Sequence, residues 1–212
     1  MEFSQVIDFL SNDNSYWSSR GHEEIDIPFD VTPSEYLSFA EFDLESGTEK
    51  HSLINALSNA KRSLDCQIDC LMIAFGFFGN SKKWNVPKKI ETLKNLGIIA
   101  PRILNKINSV RNLVEHEFVV PNKEQVSDFI DIVALFNAST EKHIFNFPGD
   151  SQIEHDLIKE VFLDIKFKRN QRNIKIEVRE KGVTDRQIFN IDSSHDNYII
   201  FMKHYIENFS KS

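Results

Sequence analysis

Between Thr48 and Thr140 apolar residues recur every three or four positions, the spacing of helices with one buried face. Leu53, Leu57, Ala60, Leu64, Ile68 and Leu71 predict a long amphipathic helix to about Phe75, with Asn55, Asn59, Arg62 and Asp69 on its polar side. Ahead of it, Thr32-Pro33-Ser34-Glu35 predicts a helix start, with a capping threonine, proline at the first helical position and a glutamate closing the box. That helix should run from about Pro33 to Glu45 and stop near Gly47. Pro87 opens a short basic helix ending at Gly97, and Pro101 opens another to about Phe118. Asn122 and Gln125 start a further helix, in which Val126, Phe129, Ile130, Val133 and Phe136 keep the period to about Thr140.

After His143 the pattern changes. Phe145–Phe147, Phe162–Phe167, Ile174–Val178 and Ile188–Ile191 carry the alternation and β-branched content of strands, with turns at Asn170–Asn173 and Lys181-Gly182. Ser151–Glu160 reads as helix, from Ile153, Leu157 and Val161 at four-residue steps, and a last helix should cover His195 to Phe209. The expected fold is therefore mainly α. An acidic segment with one helix (1–47) precedes an antiparallel helical bundle (48–142), and a small α+β domain (143–212) follows.

The opposite side of the Pro101 helix is unusual. Its apolar stripe is Ile103, Ile107, Val110 and Val114, so at 100° per residue the far face carries Asn105, Asn108, Asn112, Glu115 and His116. Three asparagines on one face go against helix propensity, and such local conflict tends to mark function.

Arg111-Asn112-x-x-x-His116, late in a helical bundle, resembles the HEPN (higher eukaryotes and prokaryotes nucleotide-binding) domain. The resemblance spans roughly residues 48–142, and the Glu-His-Glu run at 115–117 and Asn-Ala-Lys-Arg from Asn59 to Arg62 add to it. It implies a metal-independent endoribonuclease, or a non-catalytic nucleic-acid-binding relative. Such proteins are commonly dimers whose site forms where two motif helices meet, and their setting is toxin or phage-defence systems, with an antitoxin or other regulatory protein as a possible partner. No cofactor is implied.

The chemistry suits these residues. RNA can be cut without a metal because its own 2′-hydroxyl attacks the neighbouring phosphate, which requires proton transfer and a cation at the phosphorane. His116, with an unperturbed pKa of about 6.5, suits the first task. Arg111, permanently charged and bidentate, suits the second. Asn112 lies one turn before His116 and can orient the imidazole or the substrate. Arg111 leaves the helix about 140° from His116, so one helix converges poorly on one phosphate, and a two-fold interface would solve that geometry. Asn59, Arg62 and Asp65 are candidate supporting partners from the long helix, and Glu115 either tunes His116 or faces water.

Two Cys, 66 and 70, read as core thiols in a reducing compartment. His51, His143, His155, His195 and His204 show no metal-ligand spacing. Trp17 and Trp84 read as core or interface anchors. The N-terminus lacks a basic start and long apolar stretch, and the longest apolar run is too short for a bilayer, so the expected location is cytoplasmic.

The net charge of −7 argues at first against nucleic acid. It is a sum over unlike parts, −10 for residues 1–47, +3 for 48–142 and zero for 143–212. Lys82, Lys83, Lys88, Lys89, Lys94, Arg102 and Lys106 lead into Arg111 with Glu91 as the one acid, a candidate phosphate track. A second basic cluster, Lys166, Lys168, Arg169, Arg172, Lys175, Arg179 and Lys181, lies on the expected C-terminal hairpin. The acidic N-terminal segment is then a candidate competitor for the RNA surface.

Overall fold

The structure is a computed structural model that describes residues 1–11, 15–47, 49–98, 122–155 and 160–209. In chain order these form α1 (Phe3–Leu10), β1 (Ser15–His22), α2 (Pro33–Glu45), α3 (Lys50–Ala74), α4 (Phe78–Ser81), α5 (Val86–Asn95), α6 (Lys123–Phe145), β2 (Pro148–His155), β3 (Val161–Lys168), β4 (Asn173–Glu180), β5 (Gln187–Asp192) and α7 (Tyr198–Phe209). The helix expected from Pro101 to Phe118 lies outside the described residues.

Where the local chemistry is strong, the expected elements form. Thr32 Oγ1 accepts from Glu35 N at 3.2 Å while Glu35 Oε2 accepts from Thr32 N at 2.8 Å, closing the box at the start of α2. Asn122 and Gln125 do the same for α6, at 2.9 and 3.0 Å. The turn after β3 holds Arg172 at φ +56°, and Gly182 at φ +81° turns β4 toward β5.

The expectation of a mainly α protein built on an antiparallel bundle is overturned. The molecule is an α+β mixture in which a five-stranded antiparallel sheet, ordered β1-β2-β3-β4-β5, forms a full layer. Two of its strands come from residues read otherwise. β1 belongs to the acidic N-terminal segment and pairs with β2, with Trp17 opposite Ile153. β2 occupies residues expected to be helical, because Ser151, Ile153 and His155 alternate inward against Asp150, Gln152 and Glu154 outward. Ile153 faces both Trp17 and Leu163, and this cross-strand pairing outweighs a four-residue spacing that continued only weakly. The strand expected at Phe145–Phe147 is likewise absent. Phe145 ends α6, and Phe147 is a fully buried side chain just before β2.

The helices are not simply antiparallel either. Ser63 receives a bond from Asn137 Nδ2 (2.9 Å), Gln67 donates to Thr140 (2.8 Å), and the ends of both helices meet one side chain, so α3 and α6 run in the same direction. The long connection between them, residues 75–122, makes that crossover possible.

That side chain is Arg169, in the turn after β3 and 1% exposed. Its Nε donates to Ala74 O (3.1 Å), Nη1 to Ile144 O (2.6 Å) and Nη2 to His143 O (2.7 Å), so one guanidinium closes the C-terminal ends of α3 and α6 together. Helix C-termini present unpaired carbonyls and partial negative charge, which a cation satisfies on both counts. Burial pulls the Arg169 pKa down to about 10, which still leaves it charged at neutral pH. Tyr198 extends the same junction by donating to Phe75 O at 2.8 Å.

One continuous apolar core runs from α1 through α3 and α6 to the inner face of the sheet. Helix α7 lies against that face, with Tyr205 stacked on Trp17 at 5.5 Å and its hydroxyl donating to Pro148 O. No element among the described residues covers the outer face. The acidic N-terminal segment is built into this structure. After β1, Glu23 accepts from Arg169 N (2.5 Å), Asn170 Nδ2 donates to Glu24 O (2.9 Å), and Cys66 Sγ points to Val31 O. Among the described residues, no helix is long and apolar enough to cross a membrane.

Candidate nucleic-acid interface

Arg111, Asn112, Glu115 and His116, with Arg102 and Lys106, lie outside the described residues. Of the supporting set, Asn59 and Arg62 are brought together. Arg62 Nη1 donates to Asn59 Oδ1 at 3.0 Å, and Asn59 Nδ2 donates to Asp43 Oδ2 on α2 at 2.8 Å. This acid–amide–guanidinium chain orients Asn59 and leaves Arg62 exposed with its charge facing solvent. Asp65 is half-buried on the same helix.

The basic stretch of α4 and α5 divides by function. Lys82 Nζ lies 4.4 Å above the Phe78 ring and Lys88 Nζ lies 4.5 Å above Trp84, so each pairs an exposed cation with an aromatic plane. Lys83 and Lys94 are exposed as well. Lys89 differs, because it is bound to Asp69 at 2.5 Å with only 12% of its side chain exposed. It holds α5 to α3. Lys82 and Lys89, with Asp69, Phe78, Pro28 and Phe29, line an open groove of about 480 Å³ beside the extended N-terminal segment.

The second basic cluster separates in the same way. Arg169 is buried and structural, while Arg179 is ion-paired with Asp164, and Lys175 is bonded to Glu177 at 2.6 Å. Arg172 packs at the turn, close enough that a Cβ on Gly79 would stand 2.8 Å from its Nη1. Lys166 and Lys168 remain exposed on the outer face of the sheet, where β1 brings up Arg20 beside them. Arg20 was missed because β1 is a polar edge strand, and the alternation of Ser15, Trp17 and Ser19 was the only signal for it.

Cys66 and Cys70 are free thiols, with Cys70 buried, as their spacing on α3 suggested. The neighbouring Cys66 and then burial push the Cys70 thiol far up. His143 is buried and its pKa is pushed down to about 4, first by burial and then by Lys142 and Arg169. Trp17 and Trp84 pack as anchors against Tyr205 and Phe77. Among the described residues, no group of three or more His, Cys, Asp or Glu could hold a metal ion. No family model, curated protein or solved structure matches the chain.

Proposed function

We propose that this protein is an RNA-cleaving enzyme of the HEPN type, acting without a metal as a cytoplasmic homodimer in a toxin or defence setting. The observation that carries the reading is the spacing Arg-Asn-x-x-x-His at 111–116, with asparagines at 105, 108 and 112 in the sequence around it. In this reading His116 takes the proton of the attacking 2′-hydroxyl and returns one to the 5′-oxygen that leaves as the P–O5′ bond breaks, Arg111 of the second protomer holds the phosphate, and Asn112 orients the imidazole. Lys82 and Lys88, held over aromatic rings, support the reading as a place where a strand meets both charge and a stacking plane before the motif.

Purified protein incubated with RNA in excess EDTA should release fragments ending in 2′,3′-cyclic phosphate. His116→Ala and Arg111→Ala should each abolish them. Intact RNA under these conditions would sink the nuclease reading. A dimer by light scattering at micromolar concentration is expected, as is growth arrest on expression of the wild type but not of His116→Ala. The same exposed cation–aromatic pairs also suit a second reading, a non-catalytic protein that binds RNA or a regulatory partner. Salt-sensitive RNA binding without cleavage would select it.

A further inference from the structure

The outer face of the sheet is a described surface that the proposed nuclease chemistry leaves unused. Its side chains come from alternate positions of five strands, and register sorts them into rows. One row crosses Arg20, Asp150, Lys166 and Lys175; the next but one crosses Tyr16, Glu154, Phe162 and Arg179. The face splits electrostatically. Toward β4 its charges are satisfied internally, since Arg179 pairs with Asp164, and Glu177 takes both Lys175 (2.6 Å) and Arg186 (3.1 Å). Toward β1, Arg20, Lys166 and Lys168 form no ion pair among the described residues and are exposed.

Two acids share that end. Asp150 lies between Arg20 and Lys166 in the row, and Glu23 is already engaged by Arg169 N (2.5 Å) and Asn170 Nδ2 (3.3 Å). Neutral donors leave the Glu23 charge in place, so three cations face two acids at this end. They border two adjoining depressions of about 390 and 330 Å³, which share Arg20, Asp150 and Lys166 as walls. About 13 Å away along β1, four residues at 3.3 Å each, Tyr16 stands 63% exposed on the same face. Two strands over, the Phe162 ring lies beneath the Arg179 guanidinium at 5.8 Å.

From this juxtaposition we infer that the outer sheet face is a binding platform for single-stranded RNA, with Arg20, Lys166 and Lys168 on the phosphates and Tyr16 stacking a base. A duplex would present its bases to itself, whereas an unpaired strand offers flat bases to a pleated surface and charge to its edge. An acidic polypeptide would satisfy the cations but would have no use for the exposed ring. The inference rests on the proposed function and deepens it by naming a surface that holds the substrate strand.

The test is fluorescence anisotropy with a labelled 12-nucleotide oligouridine, in a His116→Ala background so that the probe stays intact. Exchanging Arg20, Lys166 and Lys168 together for glutamine changes only exposed side chains. It should weaken binding at least ~10-fold and reduce the salt dependence, d log K/d log[salt], by about 2, as three lost phosphate contacts require. Tyr16→Ser should weaken binding about fivefold or more and leave the salt dependence unchanged. Dissociation constants within twofold of the parent in the triple variant would overturn the inference. So would an unaffected Tyr16→Ser with polyglutamate competing as well as polyuridine. RNA cleavage by the wild type with unaltered binding in the triple variant would refute the platform and keep the nuclease; lost binding with no cleavage would do the reverse.

Discussion

Arg169→Met keeps most of the buried volume of the arginine and removes its hydrogen bonds. Three backbone carbonyls, of Ala74, His143 and Ile144, lose donors at 3.1, 2.7 and 2.6 Å, at a point where two helix ends and the β3–β4 turn converge. A bond to a charged group contributes about 2 kcal/mol net, so the three together are worth about 6. Burial has lowered the Arg169 pKa from 12.5 to about 10, and that desolvation is already contained in the net figure. The expected loss is therefore up to about 6 kcal/mol. Urea unfolding monitored by tryptophan fluorescence reads it directly, because Trp17 lies in the sheet and Trp84 beside Phe77 near α5. Arg169→Lys should fall between the two, since an ammonium cannot serve three carbonyls as the planar fork does. A loss below 1 kcal/mol in Arg169→Met would mean that water or a relaxed helix end satisfies these carbonyls, and that the junction is not held as described.

Other outcomes follow from the same structure. His143 is neutral when folded, with its pKa near 4 against 6.5 unfolded, so stability should be full above pH 6.5 and fall as the pH drops toward 4, by about 3 kcal/mol in all; His143→Gln should flatten that slope in urea titrations between pH 7 and 4.5, and an unchanged slope would assign it to other groups. Removing residues 1–22 deletes β1 with the Trp17–Tyr205 stack, and should lower the thermal midpoint by 10 °C or more rather than simply uncover an RNA surface. Lys89→Met should destabilise the fold by roughly 1–2 kcal/mol while leaving RNA affinity within twofold, and Lys82→Gln should do the opposite; equal effects on affinity would contradict their different environments.

The helical layer was legible where side chains cap and repeat. Thr32 with Glu35, Asn122 with Gln125, and the apolar stripe of α3 carry their own boundaries, because capping and a 3.6-residue period are local. The sheet was only half legible. β3, β4 and β5 alternate strongly, whereas β1 and β2 are largely polar strands whose inward side chains include Ser19, Ser151 and His155 beside Trp17 and Ile153, and their identity as strands comes from partners far along the chain. The direction of α3 relative to α6 could not be read at all, since it depends on a crossover and on one arginine from the sheet. For the candidate site, charge alone grouped Lys89 with Lys82 and Arg169 with Lys166, and burial separates each pair. The motif at 111–116 was readable only as a spacing, and its six residues lie outside those described.

The pairing of β1 with β2 also sets an order of events during synthesis. Ser19 and Ser151, within hydrogen-bond reach at 3.1 Å, are 132 residues apart, so the first strand leaves the ribosome roughly 7 to 26 s before its partner exists. The helical hairpin of α2 and α3 can form while β1 is still waiting, and the β3–β4–β5 meander can close from its own turns. The nascent chain therefore carries a strand with both edges unpaired until β2 has emerged, and the inner side of that strand holds Trp17. A chaperone that binds short aromatic segments would find its target within the first 22 residues, and a stall before residue 148 would leave that target permanently open.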